Sequence, residues 1–426
     1  MQLYDDAKTI IADAIHTVLP NAAVQRALLR LPAFSGKLIL IAAGKAAWQM
    51  AESASDALGD RIDSGVVITK YGHLRGPLPR LTLFEAGHPV PDDNSFRGTQ
   101  AALNAVKNLT ENDLVLFLLS GGGSALFEIP LVSGDELADI TKQLLACGAD
   151  IVEMNTIRKR LSAVKGGRFA RLCAPARVFS VVLSDILGDP LDMIASGPAY
   201  PDASTCAQAL EIARKYHLRM SGAAWECLRQ ETPKTLDNVE TQITGSVREL
   251  CGAAQRMCAK LGYRTVLLTS DLRCEARSAG SFFASIARTH AKDPVPTAYI
   301  CGGETIVHLR GHGKGGRNQE LALAAAKELE GIENVFLLSV GSDGTDGPTD
   351  AAGGFVTGST AAVLAERGIS IDSILDDNNA YFALSACGGN LRFDGASDEA
   401  RQEGGLIITG PTGTNVNDLT VLLMRP

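Results

Sequence analysis

Short apolar runs that end in glycine-rich loops alternate with helical patterns along most of the chain. Residues 37–43, 64–69, 81–85, 114–119 and 178–183 are such runs, each of strand length. The first enters Gly44-Lys45 and an alanine-rich helix over 46–58, and the third enters Gly87-His-Pro-Val-Pro-Asp-Asp and a helix opening at Asn94 or Ser95, both good N-caps. The fourth runs into Ser120-Gly-Gly-Gly-Ser124 and the fifth into Ser184-Asp-Ile-Leu-Gly-Asp189. Strands and helices alternating at this spacing predict an α/β fold, a parallel sheet with helices on both faces.

A polar stretch at 229–242 interrupts the pattern and divides the chain into expected domains 1–235 and 236–426. The alternation then resumes with helices over 246–260, 275–290 and 318–329 and strands over 264–269, 297–300, 305–310, 335–340, 405–409 and 419–424. Only Cys301-Gly-Gly-Glu304 separates two of these strands, a hairpin-length gap that predicts a mixed second sheet.

With 46% hydrophobic and 21% charged residues, the 426-residue chain has the material for buried cores and is neither disordered nor fibrous. A net charge of −8 and 5% aromatics argue against nucleic acid or an anionic membrane as partner. The apolar runs reach about six residues, whereas a membrane crossing needs about 20. The acidic N-terminus lacks a signal-peptide pattern, and nine cysteines without a CxxC read as reduced thiols, so a cytoplasmic location is expected.

The 43 glycines gather in strand-end loops, where α/β sheets bind ligands. Ser120, Gly121, Gly122, Gly123 and Ser124 form the cleanest phosphate-loop candidate, although no Walker A sequence occurs; the plain alternative is a strand-to-helix turn. Lys45 follows a strand and a glycine directly, a position that suits a lysine facing an anion. His88 either orients substrate or serves its loop. The loop from Gly311 to Gly316 matches GxGxxG, but its hairpin setting and its basic residues Arg310, His312, Lys314 and Arg317 favour a phosphate clamp over NAD. Six positive charges between Arg158 and Arg171, Arg160 and Lys165 among them, are either a solvated basic face or an anion site. Asp185 and Asp189 in one loop, with Asp343, Asp346 and Asp350 in another, are the carboxylates that Mg²⁺-dependent phosphoryl transfer requires, or else turn-forming aspartates.

Together these blocks resemble the class II glycerate 2-kinase family. The likeness spans nearly the whole chain and rests on Ala43-Gly-Lys45-Ala, Gly87-His-Pro-Val-Pro-Asp, Leu119-Ser-Gly-Gly-Gly-Ser-Ala, Asn155-Thr-Ile-Arg-Lys with Lys165-Gly-Gly-Arg, and Leu183-Ser-Asp-Ile-Leu-Gly-Asp-Pro. In the second half it rests on Gly303-Glu304-Thr, Gly313-Lys-Gly-Gly-Arg317-Asn-Gln-Glu320, Asp343-Gly-Thr-Asp-Gly-Pro-Thr-Asp350 and Thr409-Gly-Pro-Thr-Gly-Thr-Asn-Val. Small departures are Cys301 and Ser342. The resemblance implies a Rossmann-like kinase domain, a smaller C-terminal MOFRL region at about 295–420, and an active site in the cleft between domains. It implies ATP- and Mg²⁺-dependent phosphorylation of D-glycerate at its 2-hydroxyl, with Lys45 and Arg317 as active-site cations. The expected set adds Asp185 and Asp343 as catalytic, Asp189 and Asp346 as metal-binding, and Glu304, Lys314 and Asn318 beside His88, Arg160, Lys165 and residues 120–124 for substrate and phosphate. Which aspartate is base and which binds metal stays open, as does a homodimer. Family members also carry hydroxypyruvate reductase names, so an NAD(P)H-dependent reductase is the alternative, and a sugar-phosphate-binding regulator the non-enzyme one.

Overall fold

Continuous apolar runs become central parallel strands because both of their faces are covered. The computed structural model describes residues 2–184, 186–188, 190–393 and 403–426. Its first sheet contains β1 (Leu38–Ala43), β2 (Ser64–Lys70), β3 (Leu81–Ala86), β4 (Leu114–Leu119), β5 (Arg177–Leu183) and β6 (Val239–Gly245), in the order β3-β2-β1-β4-β5-β6. Strands β1 to β5 are parallel. Leu38, Leu40 and Ala42 of β1, with Leu114, Leu116 and Leu118 of β4, pack against the helices Pro20–Leu28 and Ala47–Leu58. On the opposite face Phe117 meets Phe127 and Phe169 at centroid distances of 5.5 and 4.8 Å. From β1 the chain winds outward to β2 and β3, then returns to place β4 on the other side of β1. That reversal opens a crevice at the carboxyl ends of β1 and β4.

The second sheet contains β7 (Arg264–Leu272), β8 (Thr297–Gly303), β9 (Val335–Gly341), β10 (Gly353–Thr357), β11 (Gly389–Arg392), β12 (Gly404–Ile408) and β13 (Asp418–Met424). Its order is β11-β12-β10-β9-β13-β8-β7, parallel in the outermost pairs and antiparallel between them. The sheet is mixed as expected, but not through the expected hairpin. Residues 305–310 form no strand beyond one isolated bridge from Ile306 to Glu275, because β7 and β13 already occupy both edges of β8.

The contacts divide the chain into two units. The parallel-sheet unit takes residues 20–184 and 190–244; the mixed-sheet unit takes 2–19, 186–188, 245–393 and 403–426. The helix Gln2–Val18 thus covers the second sheet, with Tyr4 edge-on to Phe336 and Phe355 at 6.4 and 5.9 Å. None of the nine cysteines is in a disulfide. Among the described residues no helix is long and apolar enough to cross a membrane.

Candidate functional site

The crevice of the parallel sheet is lined by the two loops that leave β1 and β4. Lys45 stands one residue ahead of the N-cap of helix Ala47–Leu58, and its N–H donates to Gly121 O at 2.8 Å. Ser120 Oγ accepts from Ala46 N–H at 3.1 Å and ties the loops together. A Cβ on Gly122, whose φ is +86°, would stand 2.9 Å from His88 Cδ2 and 3.2 Å from Lys45 Cγ. Glycine is therefore what allows the loop tip between the histidine ring and the lysine stem. The N–H groups of Gly121 and Gly122 donate to no acceptor among the described residues, and no carboxylate among them lies within ion-pair distance of Lys45. Ser124 Oγ lies 3.2 Å from Ser196 Oγ, and Ser196 and Ala195 hold φ of +61° and +51° against the loop. Left-handed backbone at two successive residues with side chains costs energy and is concentrated at functional sites. The loop residues 120–124, Lys45 and His88 are thus brought together.

The basic run is not one face. Lys159 pairs with Asp192 and Asp202 at 3.2 and 3.1 Å. Arg160 is fully buried against Asp202, Glu231 and Ser204. Lys165 is fully buried, bonded to Glu128 at 2.8 Å and to Phe127 O at 2.9 Å, and burial lowers its pKa against the pull of Glu128. The phosphate-binding role expected of Arg160 and Lys165 has no support in this placement, because their charges are compensated inside the core. Arg158, which sequence reasoning left out of the site, is the member that reaches the glycine loop, donating from Nη2 to Ser124 O at 3.3 Å. A helix turns about 100° per residue, so neighbouring charges face different surroundings, and the sequence alone carried only that signal.

In the mixed-sheet unit a cavity of about 1010 Å³ is lined by Glu304, the loop 311–316, Arg317, Asp346 and an apolar wall that includes Ile306 and Leu309. Arg317 grips Asp418 through Nε and Nη2 at 2.5 and 3.0 Å, and its Nη1 lies 3.1 Å from Glu304. Burial works against the charge on Arg317, but Asp418 and Glu304 outweigh it and raise the pKa. Nothing in the local sequence marks Asp418 as this partner. Asp346 accepts from the N–H groups of Asn318 and Gln319 at 3.1 and 2.8 Å, capping the helix Arg317–Leu329 from outside; burial raises its pKa to about 7 against those bonds. Its oxygens serve the helix, which leaves little for the metal it was expected to bind. Asn318 is buried between Asp346 and Ser339 Oγ. A Cβ on Gly311, Gly313 or Gly316 would collide with Asp377, Asn379 or Asp346, so these glycines make room for the chain itself. The helix N-terminus that a dinucleotide or phosphate clamp needs is already occupied by a carboxylate.

Lys314 is exposed, its ammonium 4.7 Å over the ring of Tyr381. Asp343 accepts from Thr345 N–H at 3.0 Å in a loop turn and lies outside the cavity lining. Asp185 and Asp189 lie outside the described residues. Among the described residues no group of three or more His, Cys, Asp or Glu is placed to hold a metal ion.

Residues 6–229 match a family described as a domain of unknown function, DUF4147, and residues 297–418 match the MOFRL family. The chain is 50% identical over 421 residues to a D-glycerate 2-kinase of Thermotoga maritima, covering 97% of both chains. It is 39% identical over 404 residues to an Agrobacterium vitis protein that carries a hydroxypyruvate reductase name, covering 91% of this chain and all of that one. A crystal structure of a Thermotoga maritima glycerate kinase superposes with a TM-score of 0.91 at 49% identity, covering 99% of each chain. The chain belongs to the glycerate kinase family that joins a DUF4147 domain to a MOFRL domain.

Proposed function

We propose that the chain transfers the terminal phosphoryl group of ATP to the 2-hydroxyl of D-glycerate, giving 2-phospho-D-glycerate in the cytoplasm. The observation that carries this reading is the crevice of the parallel sheet. There Lys45, an ammonium without a counter-charge among the described residues, stands beside a glycine loop whose Gly121 and Gly122 N–H groups meet no acceptor among them. In phosphoryl transfer the substrate hydroxyl oxygen attacks the terminal phosphorus, the bond to the ADP oxygen breaks, and the hydroxyl proton passes to a carboxylate. Lys45 and the N–H groups of Gly121 and Gly122 answer the charge on the transferring group, and His88 bounds the same loop. Asp185, Asp189 and Asp343 are the candidates for taking that proton and for holding the Mg²⁺ that would accompany the nucleotide. The described residues form no complete metal site, so no step is derived through the ion. Arg317, held by Asp418 and Glu304, presents a fixed cation to the cavity of the mixed-sheet unit.

The test mixes protein, D-glycerate, ATP and Mg²⁺ and couples the product to enolase without a mutase, so that only 2-phosphoglycerate gives a signal. Turnover is expected, and Lys45→Ala should lower kcat about 10²- to 10³-fold with an unchanged circular dichroism spectrum. No signal there, together with NADH oxidation on hydroxypyruvate, would replace the kinase by the reductase.

A further inference from the structure

The helix Ile151–Arg160 ends in three consecutive cations whose surroundings differ. Lys159 and Arg160 each meet carboxylates, whereas Arg158 has no carboxylate within ion-pair distance among the described residues. Its Nε is closed off from solvent and bonded to none of the described residues, while Nη2 donates to Ser124 O in the glycine loop. The acid that acts on it electrostatically is Glu128, whose carboxylate is already bonded to Lys165. A guanidinium withdrawn from water without a counter-charge is costly, and evolution has cheaper ways to fill the space.

The same loop touches Lys45 at Gly121 and Gly122, two to three residues from the Arg158 contact. Among the described residues, the crevice therefore presents two cations without an ion-pair partner and of different shape, one a compact ammonium and one a planar fork. A point charge suits a phosphoryl group in motion, whereas a planar donor pair matches a carboxylate, which is planar and does not change during the reaction.

We propose that Arg158 is the receptor for the carboxylate of the 2-hydroxy acid substrate, holding it at the Ser124 end of the glycine loop while Lys45 serves the phosphoryl group. The assignment rests on the glycerate reading above. It makes Arg158 a substrate-binding residue, and it gives a task to the cation of the basic run that reaches the glycine loop.

Arg158→Met and Arg158→Lys, compared with the unaltered protein by steady-state kinetics, calorimetric titration with D-glycerate and thermal melting, decide the matter. Expected for Arg158→Met are a KM for D-glycerate raised about 10- to 100-fold, a KM for ATP within about twofold, loss of calorimetric binding, and no fall in the melting temperature of the ligand-free protein. Arg158→Lys should retain part of the affinity. An unchanged KM for D-glycerate, a rise confined to ATP, or a lower ligand-free melting temperature for the Met variant would each overturn the assignment. Binding of D-glycerate that the Met variant loses, without turnover by the unaltered protein, would sink the kinase reading and leave this one standing. Turnover unaffected by the substitution would do the reverse. If the unaltered protein neither binds nor turns over D-glycerate, both are overturned.

Discussion

Arg317 and Asp346 show how a candidate site residue can also hold up its own surroundings. The Asp418 carboxylate is 7% exposed and answers to Arg317 through two bonds. Arg317→Ala would leave that carboxylate buried without its counter-charge, a loss on the order of 3 kcal/mol in addition to any effect on turnover. A second change, Asp418→Asn, should restore much of that stability in urea unfolding without restoring kcat. Equal unfolding midpoints for Arg317→Ala and the unaltered protein would show the pair to be unimportant to the fold. Asp346 makes a prediction about pH. Its pKa is raised by burial from 3.8 to about 7, so between those values the folded chain keeps a proton that the unfolded chain has released. The stability this group contributes is present at the acid end of that window and is lost as pH rises towards 7. Asp346→Asn should remove that slope, which comparing urea midpoints at about pH 4.5 and about pH 7.5 would reveal. Parallel pH profiles for the two proteins would show that Asp346 is ionised throughout.

At the scale of elements, the helix Gln2–Val18 has the clearest consequence. It buries Ile10 and Ile11 completely against the mixed-sheet unit, and its Asp6 accepts from Tyr263 and Arg425 at 2.6 and 2.9 Å. Ile11→Ala should cost about 2–5 kcal/mol. Both tryptophans, Trp48 and Trp225, belong to the parallel-sheet unit, so the loss should be read from amide exchange in β7–β13 rather than from tryptophan emission. Unaltered exchange in those strands would contradict the packing. The alternation of apolar runs and glycine loops does not reveal this helix, which precedes the first of those runs. By contrast β1 and β4 were legible to within a residue, since strands covered on both faces read as unbroken apolar runs. Strand β10 was hidden by its Gly353-Gly354 start, and β6 by its polar, edge-like sequence. The glycine loop after β4 was legible because its chemistry is local. Arg160 and Lys165 were not, because their partners Asp202 and Glu128 are 42 and 37 positions away and charge alone does not reveal what it faces.

For the whole molecule, the chain begins and ends in the same unit. Its described residues start in the mixed-sheet unit, leave after Leu19 to build the parallel-sheet unit, pass back through the mixed-sheet unit at 186–188, and return to it at Gly245. The return is fastened by Thr414 Oγ1 donating to Val18 O at 2.9 Å and by Arg425 on Asp6. The excess of acidic residues is compatible with candidate sites built around cations, since Lys45, Arg158 and Arg317 are each set by their local surroundings and not by net charge. This order of elements sets a schedule for synthesis. The helix Gln2–Val18 shares its core with the helix Val247–Lys260 and with strands β8, β9 and β13, all of which lie more than 200 residues further along the chain. At typical elongation rates the helix waits on the order of half a minute to a minute for its sheet. Until the helix Val247–Lys260 is made, Tyr4, Ile10, Ile11, Ile15 and Val18 form an uncovered apolar stripe on the nascent chain, a natural target for a chaperone.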